Sequence, residues 1–585
     1  MTGWAERPTD YPIDEMKWSR PSEWPDLDAL LANEEVDQDV CFITLDNTSG
    51  YGIYSIGGIG GAITTQRGHI ENGAFVIDQT YTSSSNTRVT LLAEALWPTY
   101  PVFRITSATT LTGLSVSGYA YDPVSGKILD SMLRTMLEVV YRSNSPSAFG
   151  QSFRCWSLER VYIDAPISSI SFDGCRHLQE INAEDWDLSR ATSLASIFNG
   201  CFMLTEIKCE NWNVSNVTNM SNAFRDCANL TKLDLSNWNT GKIENFSGMF
   251  RDALCLKELH LPEHFVTSKA TNINYILGGL KNIPAIDCSD WDISNVTVID
   301  YAFSYCSSLV EIKLGSWTST KATNFNALFR EDYNLRHVDF PSGIITTQVT
   351  IIDNLFYNCY LLESVDFGGC DFSNCTSMQS VFYGCWSLRT IAHAAALNSH
   401  KVENKKYMSL FNGCLSLKRW PEGLILDFIN YNVGMEYALA GGFVEIPAQT
   451  CLLNTSGFTS PPLLSNAVHL KRLDLHGWNT SHFTSVHSYF ATPPYEYLNL
   501  DGWDFSHGTL ASPVNKNTVR EYWPPVIAVN HSYNGMLNLD HASKLRILNV
   551  LPQATAARTL TLGNVASTLS AEEIAIATEK GWTIA

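Results

Sequence analysis

The sequence has little positive charge, few charged residues overall and no long hydrophobic run. Lys and Arg number 39 against 59 Asp and Glu, which gives a net charge of −20, and charged residues make up 17% of the chain. A strongly negative chain is a poor partner for nucleic acid or for an anionic membrane. No apolar run approaches the roughly 18 residues that span a bilayer. The sequence therefore predicts neither nucleic-acid binding nor membrane insertion.

Motifs of familiar catalytic and metal sites are also missing. There is no Cys-x-x-Cys pair, no His-Glu-x-x-His and no Gly-x-Ser-x-Gly elbow. His260 and His264 are four residues apart, but Pro262 between them breaks the helix that would align their rings. We therefore expect no metal, no cofactor and no enzymatic activity. A glycan depolymerase stays open as an alternative, because two catalytic carboxylates can be brought together by folding alone.

What the sequence has in abundance is an internal repeat of about 26 residues, which begins near Phe172. A period of this size is typical of a solenoid, in which each copy buries its apolar side chains against its neighbours. The recurring phenylalanines are Phe172, Phe198, Phe224, Phe250, Phe303, Phe329, Phe356 and Phe382. The recurring tryptophans are Trp186, Trp212, Trp238, Trp291 and Trp317. We expect these residues to form the structural core of the repeats.

Each repeat can be divided into a strand, a turn and a return segment. Residues 230–235 alternate apolar and polar side chains, which predicts a strand with one buried face. Asn237 and Asn239 supply turn residues, and the stretch to Phe250 returns on the opposite side. The predicted fold is an α/β solenoid with a parallel sheet on one face and short helices or turns on the other.

These repeat units resemble a known family. The segment Asn213-Val-Ser-Asn-Val-Thr-Asn-Met220 and the pattern Phe-x-x-Cys-x-x-Leu are similar to the 26-residue leucine-rich repeats of bacterial surface proteins and mycoplasma-type lipoproteins. The resemblance covers residues 150–505 well and 506–585 loosely. Together with the opening and closing segments, it also resembles tail-associated proteins of bacteriophages. The resemblance implies a leucine-rich-repeat fold and a role in attachment.

The remaining sequence predicts a division into three parts. Residues 1–37, rich in Pro and Trp, suit an extended attachment arm, and short β-rich runs in 38–145 predict a small β-sandwich. Residues 146–585 form the solenoid, with a C-terminal cap at about 556–585. Within the cap, Ser570 and Glu573 form a capping-box pattern, which predicts a helix at 571–580 followed by a strand at 582–584.

The 15 cysteines follow the repeat. Seven of them occupy the position three residues after the phenylalanine, where Ala253 and Asp332 stand in two other repeats. Since alanine and aspartate replace cysteine there without any cysteine losing a partner, we interpret these residues as small buried thiols rather than as disulfides.

Two surface stripes are candidates for binding. The outward strand position alternates charge, as in Lys208, Asp234, Asp287 and Lys313, which favours cross-strand ion pairs. The position after the cysteine varies between aromatic and polar residues, so we expect it to meet solvent, where aromatic rings can bind sugars or a protein partner. A structural role in covering neighbouring loops is the alternative. The candidate ligand-binding residues are Trp156, Phe202, Tyr333, Tyr360 and Trp386.

The hypothesis that follows is a non-enzymatic virion protein, a phage tail fibre or another receptor-binding component. The N-terminal region would contact other virion proteins, and the solenoid would bind a bacterial surface glycan or protein. The N-terminal residues lack the pattern of a secretory signal peptide, which favours a virion over the alternative, an adhesin on the bacterial cell surface. Assembly into a homo-oligomer stays open, since no coiled-coil heptad supports it.

Overall fold

The structure is a computed structural model, and it describes the chain after residue 427 only in short segments. The described residues are 26–32 and 34, the strands between 40 and 152 with their adjoining residues 72 and 143, residues 153–427 without 154, 156, 263–264, 266, 316, 319, 400 and 403–408, and segments between 441 and 584. The chain divides into unit 1, residues 1–269 and 279–283, and unit 2, residues 270–278 and 284–585.

The described residues of unit 1 form one α-helix, α1 (Leu27–Ala32), a 3-10 helix (Ala183–Asp185) and fifteen strands. The strands are β1 (Val40–Leu45), β2 (Gly52–Gly58), β3 (Ile63–Glu71), β4 (Ala74–Ser83), β5 (Val89–Ala93), β6 (Val102–Ser107), β7 (Leu114–Asp122), β8 (Lys127–Asp130), β9 (Met136–Arg142), β10 (Phe149–Ser152), β11 (Arg160–Asp164), β12 (Ile167–Ser171), β13 (Glu180–Ile181), β14 (Lys232–Asp234) and β15 (Glu258–His260).

The elements described in unit 2 are thirteen strands, a 3-10 helix (Ala394–Leu397) and the α-helix α2 (Ala571–Glu579). The strands are β16 (Ala285–Asp287), β17 (Glu311–Lys313), β18 (His337–Asp339), β19 (Ser364–Asp366), β20 (Thr390–Ala392), β21 (Leu426–Asp427), β22 (Glu445–Ile446), β23 (Cys451–Leu452), β24 (Arg472–Asp474), β25 (Tyr497–Asn499), β26 (His531–Ser532), β27 (Arg558–Thr561) and β28 (Trp582–Ile584). None of the helices in the described residues is long and apolar enough to cross a membrane.

The N-terminal strands form two sheets. A seven-stranded sheet has the order β13-β11-β9-β1-β6-β3-β4, and a four-stranded sheet has the order β5-β2-β7-β8. Strands β1, β3, β4 and β6 pair antiparallel, whereas β11 pairs in parallel with β9 and β13. The sheet that begins in the N-terminal region thus continues into the first repeat strands. The predicted sandwich packing and the predicted boundaries at 37 and 145 stay predictions, and residues 1–25 of the arm lie outside the described residues.

Helix α1 docks on the core of the seven-stranded sheet. Leu27, Leu30 and Leu31 are buried with Phe42 of β1 and Val140 of β9. The spacing of the three leucines places them on one face of the helix, so burying that face fixes its position.

A buried ionic cluster also holds α1 to the sheet. The guanidinium of Arg160 on β11 contacts the carboxylates of Asp28 and Glu138, and its Nε donates a 2.9 Å hydrogen bond to Glu180 Oε1. Glu138 is fully buried. A buried carboxylate is tolerated only when it is paired, so this cluster ties α1, β9, β11 and β13 together.

In both units the repeats build a parallel-strand β-solenoid with few helices, about nine turns in all. The repeat strands are mostly three residues long and pair in register, as Val338 with Val365 and Val365 with Ile391. The return segment consists of hydrogen-bonded turns, and isolated parallel bridges such as Asn219 to Asn245 link successive turns there. The turns are therefore paired on both sides, and the described return segments form turns rather than the short helices that the predicted α/β solenoid also allowed.

The recurring phenylalanines stack on one another within each unit. In unit 1 the ring centroids from Phe172 to Phe198 and onward to Phe224 and Phe250 are 5.7–6.0 Å apart. In unit 2 the spacing is 5.4–5.6 Å through the series Phe303, Phe329, Phe356, Phe382 and Phe411. All the phenylalanines and tryptophans named above as core are at most 5% exposed.

The buried thiols form a second row beside these rings. Among the described cysteines all are free, and all but Cys255 are buried. Cys227 Sγ donates to the carbonyl of Phe198, and Cys385 Sγ donates to the carbonyl of Phe356, at 3.2 and 3.0 Å. Burial raises the pKa of both thiols well above the usual range of a cysteine. The interpretation of these residues as core thiols is confirmed for the described chain.

Asp332 occupies the thiol position of one turn in unit 2. Its Oδ1 accepts a 2.8 Å hydrogen bond from the backbone N–H of Cys306, but Oδ2 has no partner among the described residues. The side chain is fully buried, and this burial raises the pKa of the carboxyl well above its usual range. The turn therefore holds a carboxylic acid where its neighbours hold a thiol.

The C-terminal cap follows the sequence prediction. The Ser570 hydroxyl accepts a hydrogen bond from the Glu573 N–H, and the Glu573 carboxylate accepts one from the Ser570 N–H. Helix α2 begins at Ala571 and is followed by Gly581, at a φ of +79°, and by strand β28. The predicted helix and terminal strand are confirmed.

The phenylalanine stack leads to a first prediction. Changing Phe224 to alanine should lower the free energy of unfolding by about 3–5 kcal/mol, because the ring is fully buried between two others. Urea unfolding followed by circular dichroism measures this loss. Phe202→Ala in the same unit, where the ring is only partly buried, is the matched control and should cost less. Equal losses would contradict the stacked core.

The ionic cluster leads to a second prediction. Changing Arg160 to methionine should cost about 3–5 kcal/mol of stability, because the buried Glu138 then loses its counter-charge. The change in urea midpoint checks this value. Lys208→Met, which removes an exposed pair with Glu184 at 3.0 Å, should leave the midpoint unchanged. A similar effect of the two substitutions would show that the cluster has no special role.

Asp332 leads to a third prediction. Since its pKa is raised in the fold, the carboxyl favours the folded state fully below the ordinary aspartate pKa near 4, and this contribution is lost as the pH rises through the folded-state value. The melting temperature of the chain should therefore fall as the pH rises above about 4. Asp332→Asn keeps the acceptor for Cys306 and should flatten this decline in a calorimetric pH series.

Asp300 serves as the companion variant in that series. Burial raises its pKa to about 6, so Asp300→Asn should remove only the part of the decline that lies near pH 6. A melting temperature that rises with pH in the unsubstituted chain would refute both assignments.

Candidate functional site

The candidate site lies on the tight turn around each stacked phenylalanine of unit 2. Two residues per turn adopt a left-handed backbone, one two places before the phenylalanine and one two places after it. Around Phe356 these are Asn354 and Asn358, at φ values of +56° and +60°. Asparagine and glycine tolerate this conformation best. The two reversals leave the side chains one and four places after the phenylalanine partly exposed.

The outer row consists of the residues four places after the phenylalanine, Tyr333, Tyr360 and Trp386. The ring centroids of Tyr333 and Tyr360 are 5.0 Å apart with an interplanar angle of 6°, and those of Tyr360 and Trp386 are 4.4 Å apart at 19°. Trp386 is 54% exposed, and Leu415, at the same position of the next turn, is 50% exposed. Large apolar side chains of this exposure on adjacent turns indicate a contact surface.

The inner row consists of the residues one place after the phenylalanine, Arg330, Tyr357 and Tyr383. The two tyrosine rings stack at 4.8 Å, and the guanidinium carbon of Arg330 lies 4.5 Å from the centre of the Tyr357 ring. This is a cation–π contact. Tyr275 and Tyr301 form a further stacked pair in unit 2, at 4.6 Å.

Glu331 connects the two rows. Its Oε1 lies 3.1 Å from Arg330 Nη2, and its Oε2 accepts a 3.0 Å hydrogen bond from the hydroxyl of Tyr333. Burial and the neighbouring Glu331 carboxylate raise the pKa of Tyr333 to about 12. The phenol therefore stays neutral and keeps donating. We call the five rings of the two rows, Tyr333, Tyr360, Trp386, Tyr357 and Tyr383, the aromatic ridge.

The structure brings three of the five predicted ligand-binding residues together, Tyr333, Tyr360 and Trp386. Phe202 belongs to unit 1, where the guanidinium of Arg176 lies 5.3 Å from its ring centre. Trp156 lies outside the described residues. Whether these residues bind a ligand stays a prediction.

Sequence reasoning missed the inner row. Tyr357 and Tyr383 are 26 residues apart, and so are Tyr275 and Tyr301, so their spacing carried the same signal as the outer row. Arg330 carried no such signal, since its role depends on which ring lies above it.

Of the predicted charge pairs on the strands, one is replaced and one is present. Lys208 pairs with Glu184 rather than with Asp234, whereas Lys313 does face Asp287, at 3.8 Å.

The ridge is suited to binding. Among the described residues no group of three or more His, Cys, Asp or Glu side chains is placed to hold a metal ion. The stacking also fixes the ring positions before any partner arrives, which reduces the entropy lost on binding.

Comparison with known proteins supports the repeat and leaves the rest of the chain unmatched. The model of a family described as Mycoplasma protein of unknown function, DUF285, matches residues 168–286, 271–394 and 343–419. No curated protein matches the chain. The three matches overlap and together cover residues 168–419, less than half of the chain and nearly all of its well-described solenoid turns. In this region the chain is similar to the DUF285 Mycoplasma repeat family.

Proposed function

We propose that the protein is a non-enzymatic adhesion protein, a phage tail fibre or other receptor-binding component of a virion, which binds a bacterial surface glycan or protein through its solenoid. The observation that carries the proposal is the aromatic ridge of unit 2. Tyrosine and tryptophan give a large contact area at low conformational cost and are enriched at recognition surfaces.

The residues at the outer-row position differ between the two units, and this difference supports a specific role for the ridge. In unit 2 the outer-row position holds Tyr333, Tyr360 and Trp386 in three successive turns, whereas four successive turns of unit 1 have Arg176, Phe202, Ala228 and Leu254 there. The core packs in the same way in both cases, since the phenylalanine stack is present in each unit. The fold does not require aromatic rings at this position, so their concentration in unit 2 is explained better by binding.

The remaining parts of the proposal concern architecture. The solenoid would belong to the leucine-rich-repeat class, and the N-terminal sheets would form the sandwich that attaches the chain to other virion proteins. The docking of α1 through Arg160 supports a rigid N-terminal part, because the helix is tied to the sheet that continues into the first repeats.

A second candidate is an adhesin on the bacterial cell surface. The similarity to a family described as a Mycoplasma protein favours this location, and the aromatic ridge would serve the same purpose there. Labelling intact phage particles and bacterial envelopes with an antibody to the chain separates the two locations.

The proposed function leads to a fourth prediction. Changing both Tyr360 and Trp386 to alanine should reduce adsorption of the purified chain to host cells by about tenfold or more, since aromatic residues at the centre of an interface are worth 2 kcal/mol or more. Flow cytometry of the fluorescently labelled chain measures the adsorption. Ile345→Ala, which alters a 56% exposed apolar side chain elsewhere in unit 2, is the control and should leave adsorption unchanged. Normal adsorption of the double variant would contradict the proposal.

A further inference from the structure

A small patch beside Trp386 combines exposed cations, hydroxyls and apolar groups. It consists of six residues from two successive turns of unit 2: Trp386, Ser387, Arg389, Leu415, Ser416 and Lys418. The two turns are adjacent, because the rings of Phe382 and Phe411 are 5.6 Å apart and the N–H of Ser416 donates a 3.2 Å hydrogen bond to the carbonyl of Trp386.

The two cations occupy equivalent places. Arg389 lies four residues after Cys385, and Lys418 lies four residues after Cys414. Because the N–H of Ser416 bonds the carbonyl of Trp386, the two turns are neighbours here, and the two side chains start from neighbouring points on the surface. Both residues are exposed. The geometry thus places two positive charges where one anionic group, or two linked groups, can reach both.

These cations are available for a partner. In the two preceding turns the same position holds Arg336 and Glu363, which pair with each other at 2.7 Å. Among the residues that the structure describes, neither Arg389 nor Lys418 forms an ion pair. In a chain with a net charge of −20, adjacent exposed cations that lack a carboxylate partner are an unusual local feature. They favour a negatively charged ligand, because complementary charge steers and orients binding.

The hydroxyl and apolar groups narrow the ligand class. Trp386 and Leu415 are 54% and 50% exposed, and the hydroxyls of Ser387 and Ser416 lie between them and the cations in the sequence of each turn. An acidic sugar offers complementary groups to all three: its C–H face to Trp386, its hydroxyls to the serines and its carboxylate to Arg389 and Lys418.

We propose that this patch binds an acidic glycan, a polymer of sugar residues that carry carboxylate groups. The inference rests on the proposed function, and it specifies the ligand class at the Trp386 end of the aromatic ridge. A neutral glycan would leave both cations unused. An acidic polypeptide would pair with the cations, but it has no series of hydroxyl groups that could form hydrogen bonds with Ser387 and Ser416.

The test measures binding of the full-length chain to three defined polymers by isothermal titration calorimetry: polygalacturonate, neutral dextran and poly-L-glutamate. We expect polygalacturonate to bind most tightly, and to bind more weakly when the salt concentration is raised from about 0.05 M to about 0.5 M, because exposed charges are screened over the shorter Debye length. Equal binding of dextran, or tighter binding of polyglutamate, would overturn the assignment to an acidic glycan.

Charge reversal tests the residues themselves. Arg389→Glu with Lys418→Glu should weaken polygalacturonate binding by about tenfold or more, which corresponds to at least one lost ion pair of about 1.4 kcal/mol. Lys313→Glu with Lys321→Glu changes the net charge of unit 2 equally, away from the patch, and is the matched control. Circular dichroism melting verifies that both double variants fold. If both double variants lose the same amount of polygalacturonate affinity, the loss comes from the change in net charge alone, and the inference is overturned.

Cell adsorption separates this inference from the proposed function. If charge reversal at Arg389 and Lys418 leaves adsorption unchanged while the Tyr360 and Trp386 variant abolishes it, the acidic-glycan assignment fails and the proposed function stands. If neither variant changes adsorption, both fail.

Discussion

The in-register stacking of one phenylalanine per turn is the interaction on which the repeat structure depends. Each ring is fully buried, the inner ones between the rings of two adjacent turns, and the backbone N–H beside the ring bonds the next turn, as from Phe224 to the carbonyl of Met249 at 2.8 Å. Side-chain stacking and backbone pairing therefore enforce the same register. If one turn shifted by a residue against the next, the ring stacking and the backbone hydrogen bonds would both be lost. The register is therefore strongly specified.

Because the phenylalanine stack is present in both units, the residues at the outer positions can differ between them. The thiol row and the phenylalanine row fill the interior, whereas the residues one and four places after the phenylalanine only have to tolerate a partly exposed site. Unit 2 fills these places with stacked tyrosines, Trp386 and the cation–π contact of Arg330, and it ends the outer row beside exposed cations. The residues of the proposed binding surface are thus separate from those that stabilise the fold.

Much of this arrangement could be predicted from the sequence, because a repeat converts spacing along the chain into position in space. The spacing identified Phe198 and Phe224 as core, Cys227 as a buried thiol and Ser570 as a helix cap. It also placed Trp386 in an exposed row. What it could not supply was contact between turns: Lys208 pairs with Glu184 rather than Asp234, Arg330 covers Tyr357, and one oxygen of Asp332 lacks a partner. These outcomes depend on rotamers and distances that a period does not encode.

The distance between turns in unit 2 is insensitive to the number of residues in each turn. The steps from Phe303 to Phe411 contain 26, 27, 26 and 29 residues, yet the ring spacing varies only between 5.4 and 5.6 Å. Extra residues are therefore absorbed at the periphery. Small in-frame insertions or deletions in the gene would alter the peripheral loops and leave the scaffold in place. The surface of the solenoid can therefore change through differences in loop length as well as through substitutions.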